Sequence, residues 1–246
     1  MTKPLQDRIA LVTGASRGIG NTVALALAKA GAHVIAVART VGGLEELDDA
    51  IKAEGGSATL VPLDLKDMDG IARLGGALFD RYKKLDILVG NAGILGPLSP
   101  LSHVEPKAFD DVMAINVTAN WQLIRCMEPL LVKSDAGRAV FISSGVSWMC
   151  RAYWGPYAIS KAALNAMVQT WAAENMTTNL RVNLLTPGPI RTRMRAQAMP
   201  GEDPMSLETP EKVADKIVEM CLPGFTETGK VYAYPVKRLL AFRPPD

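Results

Sequence analysis

The chain has little of what builds disulfide-stapled, metal-centred or membrane proteins. Its 246 residues hold three cysteines, Cys126, Cys150 and Cys221, an odd number without CxxC spacing, which argues against a disulfide framework or a zinc cluster. Its two histidines, His33 and His103, add no ligand constellation, so no metal site is expected. No apolar run reaches the roughly 18 residues of a membrane span, because charge or glycine breaks each one. Neither sign of charge dominates. With 27 Lys and Arg against 25 Asp and Glu, and no basic block, the chain offers no footprint for nucleic acid or an anionic membrane. The opening "MTKPLQDRIALVTGA" lacks a cleavable apolar core, since Asp7 and Arg8 precede the short run Ile9 to Val12. The expected location is therefore cytoplasmic, with neither membrane nor nucleic acid as a partner.

What is present suits one folded α/β domain over residues 1–246. Hydrophobic residues make up 48% and charged residues 21%, and no polar or proline-rich tract suggests disorder. Short β-branched or apolar runs alternate with longer helical patterns, the signature of a Rossmann-like, doubly wound parallel sheet with helices on both faces. About seven strands are expected, at Arg8–Thr13, His33–Ala38, Ala58–Leu63, Ile87–Gly90, Ala139–Ser143, Arg181–Leu185 and Lys230–Tyr234. Helices are expected near 18–30, 42–54, 67–83, 106–133, 155–178 and 210–221. Sites in such folds gather at the carboxyl ends of strands, here Gly14, Arg39, Asp64, Asn91, Ser144 and Pro187. Proline, glycine and charge thicken between Pro187 and Pro210, so either a mobile substrate segment near 188–210 or an ordinary long loop is expected.

"TGASRGIG" follows the first expected strand and opens a helix, placing Gly14, Gly18 and Gly20 where a backbone must turn tightly and approach a ligand. Exposed amides and the positive end of a helix favour a pyrophosphate there. The spacing is not GxGxxG. A carboxylate about 20 residues further on often holds the adenosine ribose. Here the second strand ends "AVART". Ala38 brings no carboxylate, while Arg39, with Arg17 in the glycine turn, could grip a ribose 2′-phosphate. That favours NADP(H) over NAD(H), unless both arginines are solvated surface charges.

The stretch "WGPYAISKAALNAM" places Tyr157 and Lys161 four residues apart, on one face of an expected helix. With this pair, Thr13-Gly14-x-x-x-Gly18-Ile19-Gly20, Asp64, Asn91-Ala92-Gly93, Asn116 in "INVTAN", Ser144 and Pro187-Gly188 followed by Ile190 and Thr192 complete a series in fixed order. The chain thereby resembles a short-chain dehydrogenase/reductase of the common type of about 250 residues over nearly its whole length. "LVKSDAG" and "RAYWGPYAISK" resemble an uncharacterised bacterial branch of that family.

The resemblance implies a catalytic tetrad of Asn116, Ser144, Tyr157 and Lys161. Family spacing, with the serine 13 residues before the tyrosine, selects Ser144 over Ser143 and Ser147. It also implies cofactor contacts from Thr13, Gly14, Ser16, Arg17, Gly18, Ile19, Gly20 and Arg39 at the turn. Asp64 and Leu65 would lie near the adenine, Asn91, Ala92 and Gly93 along the cleft, and Pro187, Gly188, Ile190 and Thr192 at the nicotinamide end, with Tyr157 and Lys161 on the ribose. Local readings stand beside two of these: Asp64 as a turn cap, and Asn91 as a partner of loop backbone.

Hydride addition to a carbonyl leaves charge on oxygen, so a proton donor must reach that oxygen. Tyr157 is the candidate. A free tyrosine has a pKa of about 10, and the Lys161 cation is expected to lower it toward operating pH. Ser144 would polarise the substrate oxygen, and Asn116 would hold a water or backbone group in the proton path. The implied activity is reduction of a carbonyl, or oxidation of a secondary alcohol, by a homo-oligomer, dimer or tetramer, built on the helices near 106–133 and 155–178. An idle dinucleotide sensor or scaffold is the alternative; a methyltransferase would leave "NAG" and "YAISK" without a role.

Trp148, Met149, Cys150, Tyr153 and Trp154, with Ile94, Leu95, Pro97 and Leu98, either line an apolar pocket or pack against core or subunit. Arg191, Arg193 and Arg195 read as contacts for an acidic substrate or as a solvated helix face. The tail "TGKVYAYPVKRLLAFRPPD" departs from the family, whose last strand commonly precedes an Asp-Gly-Gly turn. Pro235 limits the strand, and "KRLLAF" is expected to cover a neighbour or the pocket.

Overall fold

The structure is a computed structural model that describes residues 3–242. Eight strands form one sheet: β1 (Ile9–Thr13), β2 (His33–Ala38), β3 (Ser57–Pro62), β4 (Ile87–Gly90), β5 (Arg138–Ile142), β6 (Arg181–Thr186), β7 (Lys230–Ala233) and β8 (Arg238–Ala241). Their spatial order is β3-β2-β1-β4-β5-β6-β7-β8, parallel throughout except where β8 runs antiparallel to β7. The sheet reverses its winding between β1 and β4, the place where doubly wound folds open a crevice.

The helices are α1 (Gly18–Lys29), α2 (Val41–Ala53), α3 (Met68–Tyr82), α4 (Pro106–Met113), α5 (Ala119–Leu131), α6 (Val146–Met149), α7 (Gly155–Glu174), α8 (Arg193–Ala198) and α9 (Pro210–Cys221). One face of the sheet is covered by α1, α2 and α9, whose Val23, Leu44 and Val213 meet Val12, Val34 and Val140 in one core. The other face carries α3, α5 and α7, where Ile71, Leu123 and Val168 pack on Leu11, Leu88 and Phe141. Strands buried on both faces explain the unbroken apolar runs, because both Val140 and Phe141 of β5 are fully covered from opposite sides. Among the described residues no helix is long and apolar enough to cross a membrane.

Besides the short helices α6 and α8, the latter inside the segment 188–210 expected as a mobile segment or a long loop, two local features differ from the sequence expectation. The helix expected over 106–133 is interrupted by a π-turn at Ala114–Thr118, which carries Asn116 inward and separates α4 from α5. Of the tail, Pro235 reaches the cleft wall, whereas residues 237–242 do not. Pro235 stops β7 in a short turn, Lys237 reverses the chain at φ 52°, and Arg238–Ala241 returns along β7 as an eighth strand. The tail thus covers a sheet edge that would otherwise offer unpaired backbone. Residues 243–246 lie outside the described residues.

Candidate active site

The carboxyl ends of β1, β2, β4, β5 and β6 open into a cleft of about 1410 Å³. Its first wall is the glycine turn. Gly14 and Gly18 adopt φ of 67° and 59°, and a Cβ on Gly20 would sit 2.3 Å from the Gly14 carbonyl oxygen, so the turn admits no side chain there. Ser16, Arg17, Gly18 and Ile19 face the cleft at the start of α1, whose first turn contains no acidic residue to offset its positive end. Arg17 and Arg39 are both exposed on this wall, and Asp64, 3.9 Å from Arg39, lies between the end of β3 and the start of α3. Asp64 also accepts the Lys66 amide at 3.0 Å, so its capping role and its place on the cleft coexist.

Asn91 likewise serves both readings: it lines the cleft while its amide donates to the Thr13 and Gly14 carbonyls at 2.9 and 3.3 Å. Leu65, Ala92, Gly93, Pro187, Gly188, Ile190 and Thr192 are on the wall as well. Three expected site residues are not. Thr13 is fully buried, with its hydroxyl accepting the Asn91 and Ala92 amides at 3.0 and 3.1 Å, and so ties β1 to β4 beneath the cleft. Gly20 is enclosed behind Gly14. Asn116 is also fully buried. It brackets Ile94, donating to its carbonyl and accepting its amide, both at 2.9 Å, and it donates to Ser160 Oγ.

Ser144, Tyr157 and Lys161 meet on the cleft floor. Pro156 in the first turn of α7 fixes where the helix begins, so Tyr157 points from its mouth and Lys161 lies one turn deeper. Tyr157 is 8% exposed, and burial pushes its phenol up to about 12, while the Ser144 hydroxyl beside it pulls the other way. The expectation that Lys161 lowers this phenol is therefore not met in the protein alone. The ammonium donates to the Ile142 carbonyl at 2.8 Å and lies 5.7 Å from the Tyr157 ring, and burial pushes its own pKa down to about 8. Desolvation outweighs pairing for both groups.

Sequence reasoning missed the residues that aim Ser144. Asn165, 2% exposed and one turn beyond Lys161 on α7, accepts from Ser143 Oγ at 2.5 Å and donates to Ser147 Oγ at 2.8 Å. Ser147 in turn donates to the Ser144 carbonyl at 2.7 Å. The hydroxyls of Ser143 and Ser147 are thereby consumed on either side of Ser144. The spacing of four from Lys161 was the available signal. Replacing Asn165 with leucine is expected to strand two buried hydroxyls and lower stability by about 2–4 kcal/mol, measured by urea unfolding; an unchanged midpoint would contradict the bracket.

Part of the remaining wall is apolar. Ile94, Leu95, Met149 and Trp154 line it, whereas Trp148, Cys150, Tyr153, Pro97 and Leu98 do not. Met194, Ala198 and Met199 pack on Leu95, Val146, Tyr157 and Trp154, which fastens α8 over the floor. Of the three arginines near α8, Arg195 forks onto Glu202 at 2.5 and 2.6 Å, Arg191 leans on the Leu207 carbonyl at 3.5 Å, and Arg193 is exposed.

A glycine turn beneath a helix start at the switch point of a parallel sheet, with serine, tyrosine and lysine grouped beside it, is the layout of a nucleotide-dependent oxidoreductase. The chain belongs to the short chain dehydrogenase family, whose model matches residues 8–203. It is 42% identical over 212 residues to the uncharacterized oxidoreductase YciK of Escherichia coli K12, covering 85% of this chain and 84% of that protein. Two solved structures are similar throughout. A Shigella flexneri short chain dehydrogenase complexed with NADP superposes with a TM-score of 0.91 at 39% identity, over 96% of this chain and 100% of its own. An Escherichia coli CFT073 short chain dehydrogenase complexed with NADPH gives 0.89 at 38%, over 95% and 99%.

Proposed function

We propose that the protein is an NADP(H)-dependent reductase of carbonyl compounds that also oxidises the matching secondary alcohols, acting as one domain over residues 1–246. The observation that carries this reading is the meeting of Ser144, Tyr157 and Lys161 on the floor of the glycine-turn cleft. The cleft fits the cofactor on two further counts. The glycine turn lets bare backbone at Gly14 and Gly18, both at positive φ, face the cleft, and Thr186 Oγ1, on the same wall, is buried without a partner among the described residues. Arg17 and Arg39 would hold a ribose 2′-phosphate, Asp64 and Leu65 would border the adenine, and Ile190 and Thr192 would take the nicotinamide end. When bound, NADPH supplies the hydride.

The chain's own residues supply the proton. Ser144 orients the carbonyl oxygen toward the Tyr157 hydroxyl, which hands over its proton as charge develops there. With its phenol pushed up to about 12, Tyr157 stays protonated through the neutral range, so the loaded donor suits reduction. The Lys161 ammonium stabilises the tyrosinate left behind. Asn116 holds Ile94 and Ser160 in place beneath this group. The segment 188–210 borders the substrate end of the cleft, with α8 packed on Leu95, Val146 and Tyr157.

The testing experiment follows NADPH consumption over a panel of ketones and aldehydes, with NADH beside it. NADPH-driven turnover is the expected result; tight NADPH binding with no turnover on any compound would favour an idle dinucleotide sensor. Arg39→Ala is expected to narrow the preference for NADPH over NADH by about tenfold or more, read as the ratio of kcat/KM values. An unchanged ratio would place the 2′-phosphate elsewhere. The same reading includes a homo-oligomer built on α4, α5 and α7, where Trp121 and Ile159 are exposed; a monomer by light scattering would remove it.

A further inference from the structure

Four arginines remain on the cleft wall once Arg17 and Arg39 are given to the cofactor: Arg151, Arg191, Arg193 and Arg195. Two are engaged. Arg195 forks onto Glu202, and Arg191 leans on Leu207 with Glu211 near enough to feel its charge. Arg151 and Arg193 form no ion pair or side-chain hydrogen bond among the described residues. Among the described residues the wall's only carboxylates are Asp64, beside Arg39, and Glu211, beside Arg191.

Both free arginines are held by ordered backbone. Arg193 is the first residue of α8, whose Met194 and Ala198 pack inward toward Tyr157. Gln197, four residues on, shares its face and also lines the cleft. Arg151 follows Cys150, which is left-handed at φ 45°, and opens a turn closed by the Trp154 amide on the Arg151 carbonyl at 3.2 Å. That turn is tied to the opposite connection by the Ser99 amide on the Tyr153 carbonyl at 3.0 Å. Two uncommitted guanidiniums, on two different elements, therefore edge an apolar wall of Leu95, Met149, Trp154 and Met199. A guanidinium offers a fork of donors matched to carboxylate or phosphate, and cations in a concave apolar site raise the local concentration of anions.

Resting on the reductase reading of the same cleft, we propose that the substrate carries an anionic oxygen group, carboxylate or phosphate, at the far end of an apolar body from its carbonyl, and that Arg151 and Arg193 hold that group. Neutral ketones lack the group these arginines recognise.

The probes are straight-chain methyl ketones of graded length ending in a carboxylate, a phosphate monoester or a methyl ester. Their binding to the NADP⁺-loaded protein is read by calorimetry, and their reduction by the NADPH-loaded protein is read beside it. At the fitting length the anionic ketone is expected to bind at least about tenfold tighter than the ester, with the advantage shrinking as salt rises. Arg151→Met and Arg193→Met should each cut that advantage, and the carboxylate and phosphate arms rank the two anions. Equal affinity for anionic and neutral probes would overturn the proposal, as would an advantage that survives both substitutions. A substitution that weakens NADPH binding instead would assign that arginine to the cofactor, which also overturns it. Anion-selective binding without any reduction would sink the reductase and leave this site standing; equal reduction of all three probes would do the reverse.

Discussion

Tyr157→Phe is expected to lower kcat for carbonyl reduction by about a thousandfold while the dissociation constant for NADPH changes by no more than a few fold. The substitution removes one hydroxyl and keeps the ring. That ring packs against Leu95, Val146 and Ala158 and lies 6.2 Å from the Trp154 ring, so its apolar support survives and the fold with it. What goes is the hydroxyl paired with Ser144 on the cleft floor. Ser144→Ala should cost less, because the proton donor remains and only the aim of the carbonyl is loosened. Stopped-flow NADPH oxidation with fluorescence titration of NADPH would separate these effects. A phenylalanine variant keeping a tenth of the activity would mean the proton comes from elsewhere. The direction of the phenol's shift adds a second signature. With the phenol pushed up to about 12, alcohol oxidation, which needs tyrosinate, should climb steadily as the medium turns alkaline, whereas reduction should start from a loaded donor across the neutral range.

Which parts of this site could be read in the sequence depended on whether spacing or depth decided them. The Tyr157 and Lys161 pair was legible because four residues make one helical turn, and the glycine turn because only glycine tolerates its backbone. The six parallel pairings of the sheet followed from apolar runs alternating with helical patterns. Motif membership did not distinguish residues that touch the cleft from those that brace it. Thr13, Gly20 and Asn116 belong to the pattern yet lie behind the wall, where they fix the backbone of residues that do face it. The π-turn around Asn116 was invisible because one extra residue per turn hardly disturbs an apolar period. The eighth strand was missed because its reversal rests on Lys237, a residue that carries no turn signal. The phenol's shift was misjudged for a related reason: a neighbouring cation can be counted in a sequence, but the burial that outweighs it cannot.

That balance between pairing and burial makes Lys161 the position where activity and stability should part most clearly. The ammonium is 3% exposed, has no carboxylate partner among the described residues, and makes its one hydrogen bond to the Ile142 carbonyl. Burial takes its pKa from an ordinary 10.5 down to about 8, equivalent to roughly 3 kcal/mol of unfavourable desolvation at neutral pH. Methionine has a similar length and no charge, and it would forfeit about 1 kcal/mol of hydrogen bonding to Ile142. Lys161→Met should therefore be more stable than the parent by about 2 kcal/mol at pH 7, raising Tm by about 5 °C, while losing at least about a hundredfold in turnover. The pH dependence fixes the cause. Below about 8 the folded and unfolded chains both hold the proton and the full desolvation cost is present. Between that value and 10.5 the folded protein has released it while the unfolded chain has not, so the parent gains stability as pH rises, and the methionine variant does not. The gap between the two proteins should thus close through this window, as followed by urea unfolding at stepped pH. A variant that is less stable at pH 7, or a gap that stays constant to pH 10.5, would mean that Lys161 is a net stabilising member of the floor and that its charge is not under strain.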